Sequence, residues 1–391
     1  MPAMIGGANE MINSEGGRAT RRRAENGHDA AAPAARTGQS SLNGVQVLRG
    51  VAALLVVFHH YVGTAVERGF AIVGLEHAAV GNAGVDIFFV ISGFIMEYTV
   101  GARTYQPGDR GKFLSRRMAR ILPLYWVLTL TAFLIATYMP FVVNSTTSPR
   151  QLMYSMVLLP DGVVGAYLLP LAWTLTFEMY FYMLFAAMLA LSAWWRMFGL
   201  ALVFAPALLV PESVSGQNVI TGTLLNPILF EFLAGVLLAR LLSRGREIHR
   251  YVSIALVLIG ALALLVQLNN NLTDSMLRLL LWGLPAFLIV AGVVLAPKSR
   301  ARMPGLGLRV GAWVGDRSYS LYLSHFFAIS IFSKIYFHYL INLSVPAWLS
   351  GLGLFLTCIA AAHICFVLIE QPARIALNAY FARGKGLAQV A

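Results

Sequence analysis

The 391-residue chain is 58% hydrophobic and only 12% charged, with a mean hydropathy of +0.70. Soluble domains carry about 25% charged residues, so this composition excludes a conventional globular enzyme with a water-covered surface and indicates a membrane protein. The formal charge of +12 would suggest nucleic-acid binding in a soluble chain, but the basic residues here form short clusters between apolar segments, which is typical of membrane topology.

The chain divides into a polar N-terminal tail at 1–43, a membrane domain at 44–375 and a short basic tail at 376–391. The first segment is rich in Gly, Ala, Asn and Ser and lacks the apolar core of a secretion signal, so it is predicted to be a disordered cytoplasmic tail. The stretch 152–170 is interrupted by Pro160 and Gly162 and is predicted to be a re-entrant or surface element. Ten segments of the membrane domain are predicted to be membrane-spanning helices: 45–63, 83–100, 118–140, 171–193, 197–211, 224–242, 251–268, 277–296, 318–337 and 346–370.

The distribution of Lys and Arg predicts the orientation of these helices. With the N-terminus inside, nearly all of the 29 basic residues fall in cytoplasmic segments, as the positive-inside rule requires. An even number of spans places both termini in the cytoplasm. Because no segment alternates polar and apolar residues like a barrel strand, the predicted fold is all-α.

Several ionisable residues lie inside the apolar segments, where a charge is costly and usually functional. The competing interpretation for each is an ion pair or hydrogen bond that holds two helices together. These residues are Arg49, His59, His60, Asp86, Glu97, Glu178, Glu231, His325, Lys334, His363 and Glu370.

The first span gives the sharpest functional prediction. Arg49 and His60 are eleven positions apart, which places them within about 20° of one helix face and about 16 Å apart along the axis. This arrangement suits a ligand whose anionic end binds Arg49 while its reacting end reaches His60, since imidazole is the natural proton acceptor near neutral pH. His59 lies off this face and is predicted to be a packing or hydrogen-bonding neighbour.

Two further segments allow a structural and a functional interpretation. In the second span, Ser92-Gly93 indicates either a tight helix crossing or a backbone break beside a ligand channel, and Asp86 either orients an imidazole or closes an ion pair. At the cytoplasmic surface, a helical face carries three guanidinium groups. They either fix the membrane topology and contact lipid headgroups, or bind the phosphates of a ligand. The three residues are Arg116, Arg117 and Arg120.

Taken together, these motifs resemble bacterial membrane acyltransferase family 3, which contains sugar O-acetyltransferases. The resemblance covers about 44–372 and rests on five segments in the family's order. They are Arg49 with His60, Gly84-Val85-Asp86 leading to Ser92-Gly93-Phe94, Arg116-Arg117 with Arg120, Trp173 to Tyr182 around Glu178, and Ser318 to His325. Many members have a second acidic residue after the glutamate, where this chain has Met179. This departure is closer to the exopolysaccharide (succinoglycan acetyltransferase-like) branch.

The resemblance implies about ten helices in a bacterial inner membrane and transfer of an acyl group, acetyl by family frequency, from cytoplasmic acyl-coenzyme A to a carbohydrate hydroxyl. Arg49 and His60 correspond to the family's essential pair, and Ser92, Gly93, Phe94 and the three arginines to its acyl-donor region. Glu178 and Asp86 complete the predicted catalytic set, and Trp173, Tyr182, Tyr322 and His325 are further pocket candidates.

We expect acyl-coenzyme A as a co-substrate, with no metal and no permanently bound cofactor. Expected partners are a carbohydrate acceptor, including a lipid-linked one, the bilayer and polysaccharide biosynthesis proteins, but no nucleic acid. Two alternatives remain. The buried acidic and imidazole groups could relay protons in a secondary transporter, although no internal two-fold repeat is evident, or the chain could be an export component of a polysaccharide assembly.

Overall fold

The computed structural model describes residues 43–67, 78–101, 105–106, 108–139, 147–159, 167–210, 219–268, 270, 274–297, 305–336 and 347–387. The predicted N-terminal tail, except its last residue, lies outside these ranges. Every regular element within them is helical, in agreement with the predicted all-α fold.

The described ranges contain sixteen α-helices. In chain order they are α1 Asn43–Glu67, α2 Ala83–Val100, α3 Asp109–Tyr138, α4 Pro149–Met156, α5 Ala172–Ala187, α6 Ala193–Phe204, α7 Pro206–Leu209, α8 Val219–Leu224, α9 Leu229–Ser243, α10 Arg250–Val266, α11 Ser275–Arg278, α12 Leu284–Val294, α13 Leu306–Asp316, α14 Ser318–Ile335, α15 Ala347–Cys365 and α16 Gln371–Leu387. A 3-10 turn, Ala79–Asn82, precedes α2, and π turns join α11 to α12 and α15 to α16.

Each of the ten predicted spans coincides with helix, but not all of these helices are membrane spans by length and hydropathy. Within the described ranges, six helices are long and apolar enough to cross a membrane. They are Asn43–Glu67, Ala79–Val100, Asp109–Tyr138, Ile220–Ser243, Ser275–Val294 and Leu349–Leu377. The predicted spans 197–211 and 251–268 coincide with the shorter apolar helices Ala193–Leu209 and Arg250–Val266.

Glycines allow a close helix crossing between α2 and α9. A Cβ on Gly93 would collide with the backbone carbonyl of Phe232, and a Cβ on Gly235 would collide with that of Val90. The two backbones therefore meet at a distance that only glycine permits. Because α2 continues unbroken from Ala83 to Val100, the suggested backbone break at Ser92-Gly93 is wrong, and the alternative, a tight crossing, is what the structure contains.

Two further predicted segments are helical in part. The stretch 152–170 begins inside a short amphipathic helix, α4, whose N-cap Ser148 accepts a hydrogen bond from the Gln151 amide, and its residues 160–166 lie outside the described ranges. In the C-terminal tail predicted at 376–391, α16 continues to Leu387. Its residues after Gln371 contain good helix formers such as Ala, Arg and Leu, and the helix follows directly from the last span.

Candidate active site

A cavity of about 440 Å³ opens between α1, α2, α3, α5, α13 and α14. Apolar and polar side chains both line it. The polar residues that line it are Asn43, Gln46, Arg49, Ser92, Arg120, Thr174, Glu178, Tyr182, Asp316, Ser318, Tyr319 and Tyr322. The cavity therefore combines residues from five of the predicted motifs, which lie far apart in the chain.

The cavity wall carries two guanidinium groups. Arg49 from α1 and Arg120 from α3 both line it. The Nη1 atom of Arg49 donates to Gln46 Oε1 at 2.9 Å, and Gln46 Nε2 donates to Asp316 Oδ1 at 2.8 Å. Sequence reasoning missed Gln46 and Asp316. A polar residue one helical turn before Arg49 was the signal that could have indicated the first of them.

Glu178 lies in the same cavity and is fixed by two hydroxyl groups. Ser92 Oγ donates to Glu178 Oε1 at 2.8 Å, and the Tyr182 hydroxyl donates to the same oxygen. Hydrogen bonds to a charged acceptor are stronger than those between neutral groups. The carboxylate is thus held in one orientation by residues of α2 and α5 that the sequence had assigned to separate motifs.

The Ser92-Gly93-Phe94 triplet does not act as a unit. Ser92 lines the cavity, whereas Gly93, about 100° further round the helix, packs against the α9 backbone. Phe94 is fully buried and stacks on Tyr98, with ring centroids 5.4 Å apart. Of the three residues, Ser92 alone lines the cavity.

The predicted arginine cluster also divides. Arg120 lines the cavity. Arg117 donates to Thr99 Oγ1 at 3.1 Å and lies over the Phe113 ring, 5.6 Å from its centroid, and it is near enough to interact electrostatically with Tyr182 and Glu178. Arg116 is exposed on α3. Arg120 therefore lies in the cavity wall, Arg117 lies next to it, and Arg116 lies at the exposed surface.

The two predicted histidines lie behind a layer of aromatic rings. Phe88 and Tyr322 line the cavity, with ring centroids 6.0 Å apart. His325 lies 6.1 Å from Tyr322 and 5.1 Å from His60, again between centroids. The structure therefore brings His60 next to His325, one ring layer away from the cavity that holds Arg49.

Backbone carbonyls fix the tautomer of both histidines. His60 Nδ1 lies 2.9 Å from the Val56 carbonyl oxygen, and His325 Nδ1 lies 3.1 Å from that of Leu321. A carbonyl only accepts, so these contacts assign the proton to Nδ1 and leave Nε2 as the basic nitrogen. His59 makes the equivalent contact with Ala78 at 3.2 Å, as expected for a hydrogen-bonding neighbour.

Asp86 closes an ion pair with Arg278, which was one of its two predicted roles. The guanidinium donates to both carboxylate oxygens, at 2.9 and 3.2 Å, and Asp86 is fully buried. Arg278 also lies over two indole rings, 5.5 Å from the centroid of Trp173 and 5.0 Å from that of Trp282. The buried Glu231 also interacts with Asp86, whereas the orienting role toward His60 has no contact in the described residues.

Glu97 likewise belongs to an ion pair that joins helices. Arg196 Nε donates to Glu97 Oε2, and Arg196 Nη2 to Oε1, each at 3.0 Å. Arg240 approaches the same carboxylate at 3.5 Å. For this residue the structural interpretation of an intramembrane charge is the correct one. Among the described residues, no three His, Cys, Asp or Glu side chains are arranged to hold a metal ion.

Comparison with known proteins places the chain in a family. It is 32% identical to the exopolysaccharide production protein ExoZ of Rhizobium meliloti strain 1021 over 310 residues, which cover 76% of this chain and 90% of that protein. It is 25% identical to the acyltransferase MdmB of Streptomyces mycarofaciens over 285 residues, 65% of this chain and 70% of the relative. No solved structure matches the chain. The sequence profile of the acyltransferase domain matches residues 42–370, and the chain therefore belongs to acyltransferase family 3.

Proposed function

We propose that this protein transfers an acyl group, acetyl by preference, from cytoplasmic acyl-coenzyme A to a hydroxyl of a cell-envelope or exported carbohydrate. Membership of the acyltransferase family supports the reaction class. The printed name of the Rhizobium relative, an exopolysaccharide production protein, supports a carbohydrate acceptor, which includes one carried on a lipid.

The observation that carries the proposal is the cavity that joins Arg49 and Arg120 to the Ser92–Glu178–Tyr182 cluster. Coenzyme A has anionic phosphates at one end and a thioester at the other. Guanidinium groups are well shaped to bind phosphate. We place the phosphates at Arg49 and Arg120, with Arg117 and Arg116 extending the basic surface outward, and the pantetheine arm along the apolar residues that line the cavity.

In the proposed reaction His60 is the general base. Its Nε2 atom takes the proton of the acceptor hydroxyl while the oxygen attacks the thioester carbonyl. The carbon–sulfur bond then breaks, and the coenzyme A thiolate leaves with the proton that His60 returns, so the products are an ester and a free thiol. An acyl-histidine intermediate is the alternative route.

The aromatic layer gives this mechanism a structural requirement. Because the rings of Phe88 and Tyr322 separate the cavity from His325 and His60, the two rings must part before the thioester can reach His60. The Tyr322 hydroxyl is hydrogen-bonded to Thr174 Oγ1 at 2.8 Å, so this parting costs at least that bond. The donor then enters from the arginine side and the acceptor from the histidine side.

The proposal includes a membrane topology. We propose ten spans in the bacterial inner membrane with both termini in the cytoplasm, since the Lys and Arg bias favours this arrangement. Four of these spans are helices that fall short of the length or hydropathy of an isolated membrane helix. Buried partners such as Glu97 with Arg196 support this, because polar groups in a helix bundle can be satisfied by neighbouring helices.

Release of free coenzyme A from acetyl-coenzyme A by the purified protein tests the proposal, with and without a crude cell-envelope glycan extract. We expect release that depends on the glycan and is lost in His60→Ala. His59→Ala is the matched control and should retain much of the activity, because its ring contacts the Ala78 carbonyl. Glycan-dependent release that survives in His60→Ala would refute His60 as the base.

Donor binding has its own test. Arg49→Gln and Arg120→Gln should weaken the apparent affinity for acetyl-coenzyme A, whereas Arg110→Gln, at the start of the same helix as Arg120 and outside the cavity lining, should not. A folded wild-type protein that releases no coenzyme A under any condition would instead favour the transporter or export-component alternative, since neither of these consumes a thioester.

A further inference from the structure

An apolar groove lies on the outer side of the helix bundle, away from the active-site cavity. It has a volume of about 810 Å³ and runs between α6 and α9. On each helix the lining residues recur at intervals of three and four, so each helix presents one continuous stripe to the groove. The lining residues are Trp194, Trp195, Met197, Phe198, Ala201, Phe230, Leu233, Ala234 and Leu237.

The stripes leave open space where two packed helices would normally interlock. Each includes an alanine, Ala201 on α6 and Ala234 on α9, so neither fills the gap between the helices. Large apolar side chains remain exposed beside it, with Trp195 65% and Phe198 58% accessible. In a membrane protein such side chains face the hydrocarbon of the bilayer, and the apolar lining of the open groove fits a hydrocarbon chain.

One end of the groove is strongly basic. Trp194 begins the α6 stripe, and two guanidinium groups from the end of α9 lie over its ring. The Cζ atom of Arg244 is 4.5 Å from the ring centroid, and that of Arg240 is 5.8 Å away. Arg240 shares the Glu97 carboxylate with Arg196, and its Nε atom is buried with no hydrogen-bond partner in the described residues.

The charge balance leaves this end of the groove positive. Glu97 supplies one negative charge to Arg196 and Arg240, and its two oxygens already accept the donors of Arg196 at 3.0 Å. Arg244 is exposed beside them. A guanidinium that stacks on an indole face keeps its N–H edges directed outward, where they can bind phosphate.

We propose that this groove binds an anionic phospholipid, with its phosphate at Arg244 and Arg240 and one acyl chain along the α6–α9 stripes. Basic pockets between membrane helices on the cytoplasmic side are suited to anionic headgroups, and an interfacial tryptophan is typical at that depth. The placement in the cytoplasmic leaflet rests on the topology proposed above. The site itself is independent of the transfer reaction.

Lipid-dependent thermal stability of the purified full-length protein in a neutral detergent tests the site. Dioleoyl phosphatidylglycerol should raise the melting midpoint more than dioleoyl phosphatidylcholine does, since a ligand that binds only the folded state stabilises it. In Arg244→Gln the apparent affinity for phosphatidylglycerol should fall by about tenfold, as expected for the loss of one charge-assisted contact. Arg246→Gln, the same charge change two residues further on, should behave as the wild type.

A second variant tests the acyl-chain part of the groove. Ala234→Leu fills the groove at its α9 wall and should weaken stabilisation by phosphatidylglycerol while Arg244 remains in place. Native mass spectrometry should show phosphatidylglycerol retained by the wild type and by Arg246→Gln, with less retained by Arg244→Gln and Ala234→Leu.

Three results would overturn the proposal. Equal stabilisation of the wild type by the two lipids would show that the groove does not prefer an anionic headgroup. An equal loss of phosphatidylglycerol affinity in Arg244→Gln and Arg246→Gln would show that the lipid responds to the general surface charge and not to a site at Arg244. A dimer that cross-links through a cysteine introduced at Phe198 would show that a second copy of the chain, rather than a lipid, covers the groove. Because the measurement needs no acyl donor, failure of the acyltransferase assay does not affect its outcome.

Discussion

Replacement of Gly93 by alanine should damage both the fold and the active site. A Cβ at this position would collide with the Phe232 carbonyl group, which belongs to the backbone of α9 and cannot rotate away. The two helices would have to move apart by roughly an ångström, which is the order of the overlap of a methyl group at a packed crossing. Gly63 in α1 is the matched control, because a Cβ there meets nothing within 4 Å.

Two opposing terms determine the size of the effect. Alanine is favoured over glycine in a helix by about 1 kcal/mol, whereas overpacking of a buried contact typically costs about 1–3 kcal/mol. Gly63→Ala receives only the first term and should be neutral or stabilising by up to about 1 kcal/mol. Gly93→Ala receives both and should be destabilising by up to about 2 kcal/mol, the difference between the larger overpacking cost and the helix gain.

The same displacement reaches the active site through the neighbouring residue. Ser92 Oγ lies 2.8 Å from Glu178 Oε1, and a shift of α2 by roughly an ångström would take this contact beyond hydrogen-bonding distance. The melting midpoint and the rate of coenzyme A release should therefore both fall in Gly93→Ala, and neither should fall in Gly63→Ala. If Gly93→Ala melts and turns over like the wild type, the close crossing of α2 and α9 is not as described.

Three further changes test individual contacts. Ser92→Ala should lower kcat/KM for acetyl-coenzyme A by about tenfold or more, since a hydrogen bond to a charged group contributes about 1.5–3 kcal/mol. The control Ser330→Ala loses only a hydrogen bond to its own helix and should keep the wild-type kcat/KM. Equal kcat/KM values in the two variants would contradict this prediction. Glu97→Gln should lower the melting midpoint markedly, because loss of one partner of a buried ion pair costs about 3–5 kcal/mol. A midpoint within a degree of the wild type would show that Arg196 finds another partner. Glu231→Gln should melt at or above the wild-type temperature, because the buried Glu231 carboxyl group lies beside the like-charged Asp86. A large fall in the melting midpoint would show that the negative charge of Glu231 is needed.

How much of the active site could be predicted from the sequence depends on the range of the interactions. Arg49 and His60 lie on one helix, so a fixed rotation per residue related them without knowledge of the fold. Their separation into different layers could not be predicted, because it depends on Phe88 of α2 and Tyr322 of α14, which are brought together only by packing. The same is true of Ser92 and Glu178, whose contact joins two helices.

The interpretation of the buried charges also depended on contacts between helices that are far apart in the chain. A single intramembrane carboxylate is compatible with catalysis or with an ion pair, and the sequence contained nothing to choose between them for Asp86 or Glu97. The structure assigns each to an arginine, Arg278 and Arg196, which lie 192 and 99 positions away in the chain. Such pairs have no sequence pattern, because neither spacing nor periodicity connects the partners.

The sequence by itself determined the family, the all-helical fold of the described ranges and the approximate position of the helices that coincide with the ten predicted spans. These follow from local properties: hydropathy over about 20 residues, helical periodicity and short motifs in a fixed order. Only the tertiary structure decided which residues share the cavity, that α2 is unbroken at Gly93, and that a basic groove lies between α6 and α9. These features depend on contacts between helices, where the shape of a side chain and the position of its neighbour matter as much as its chemical type.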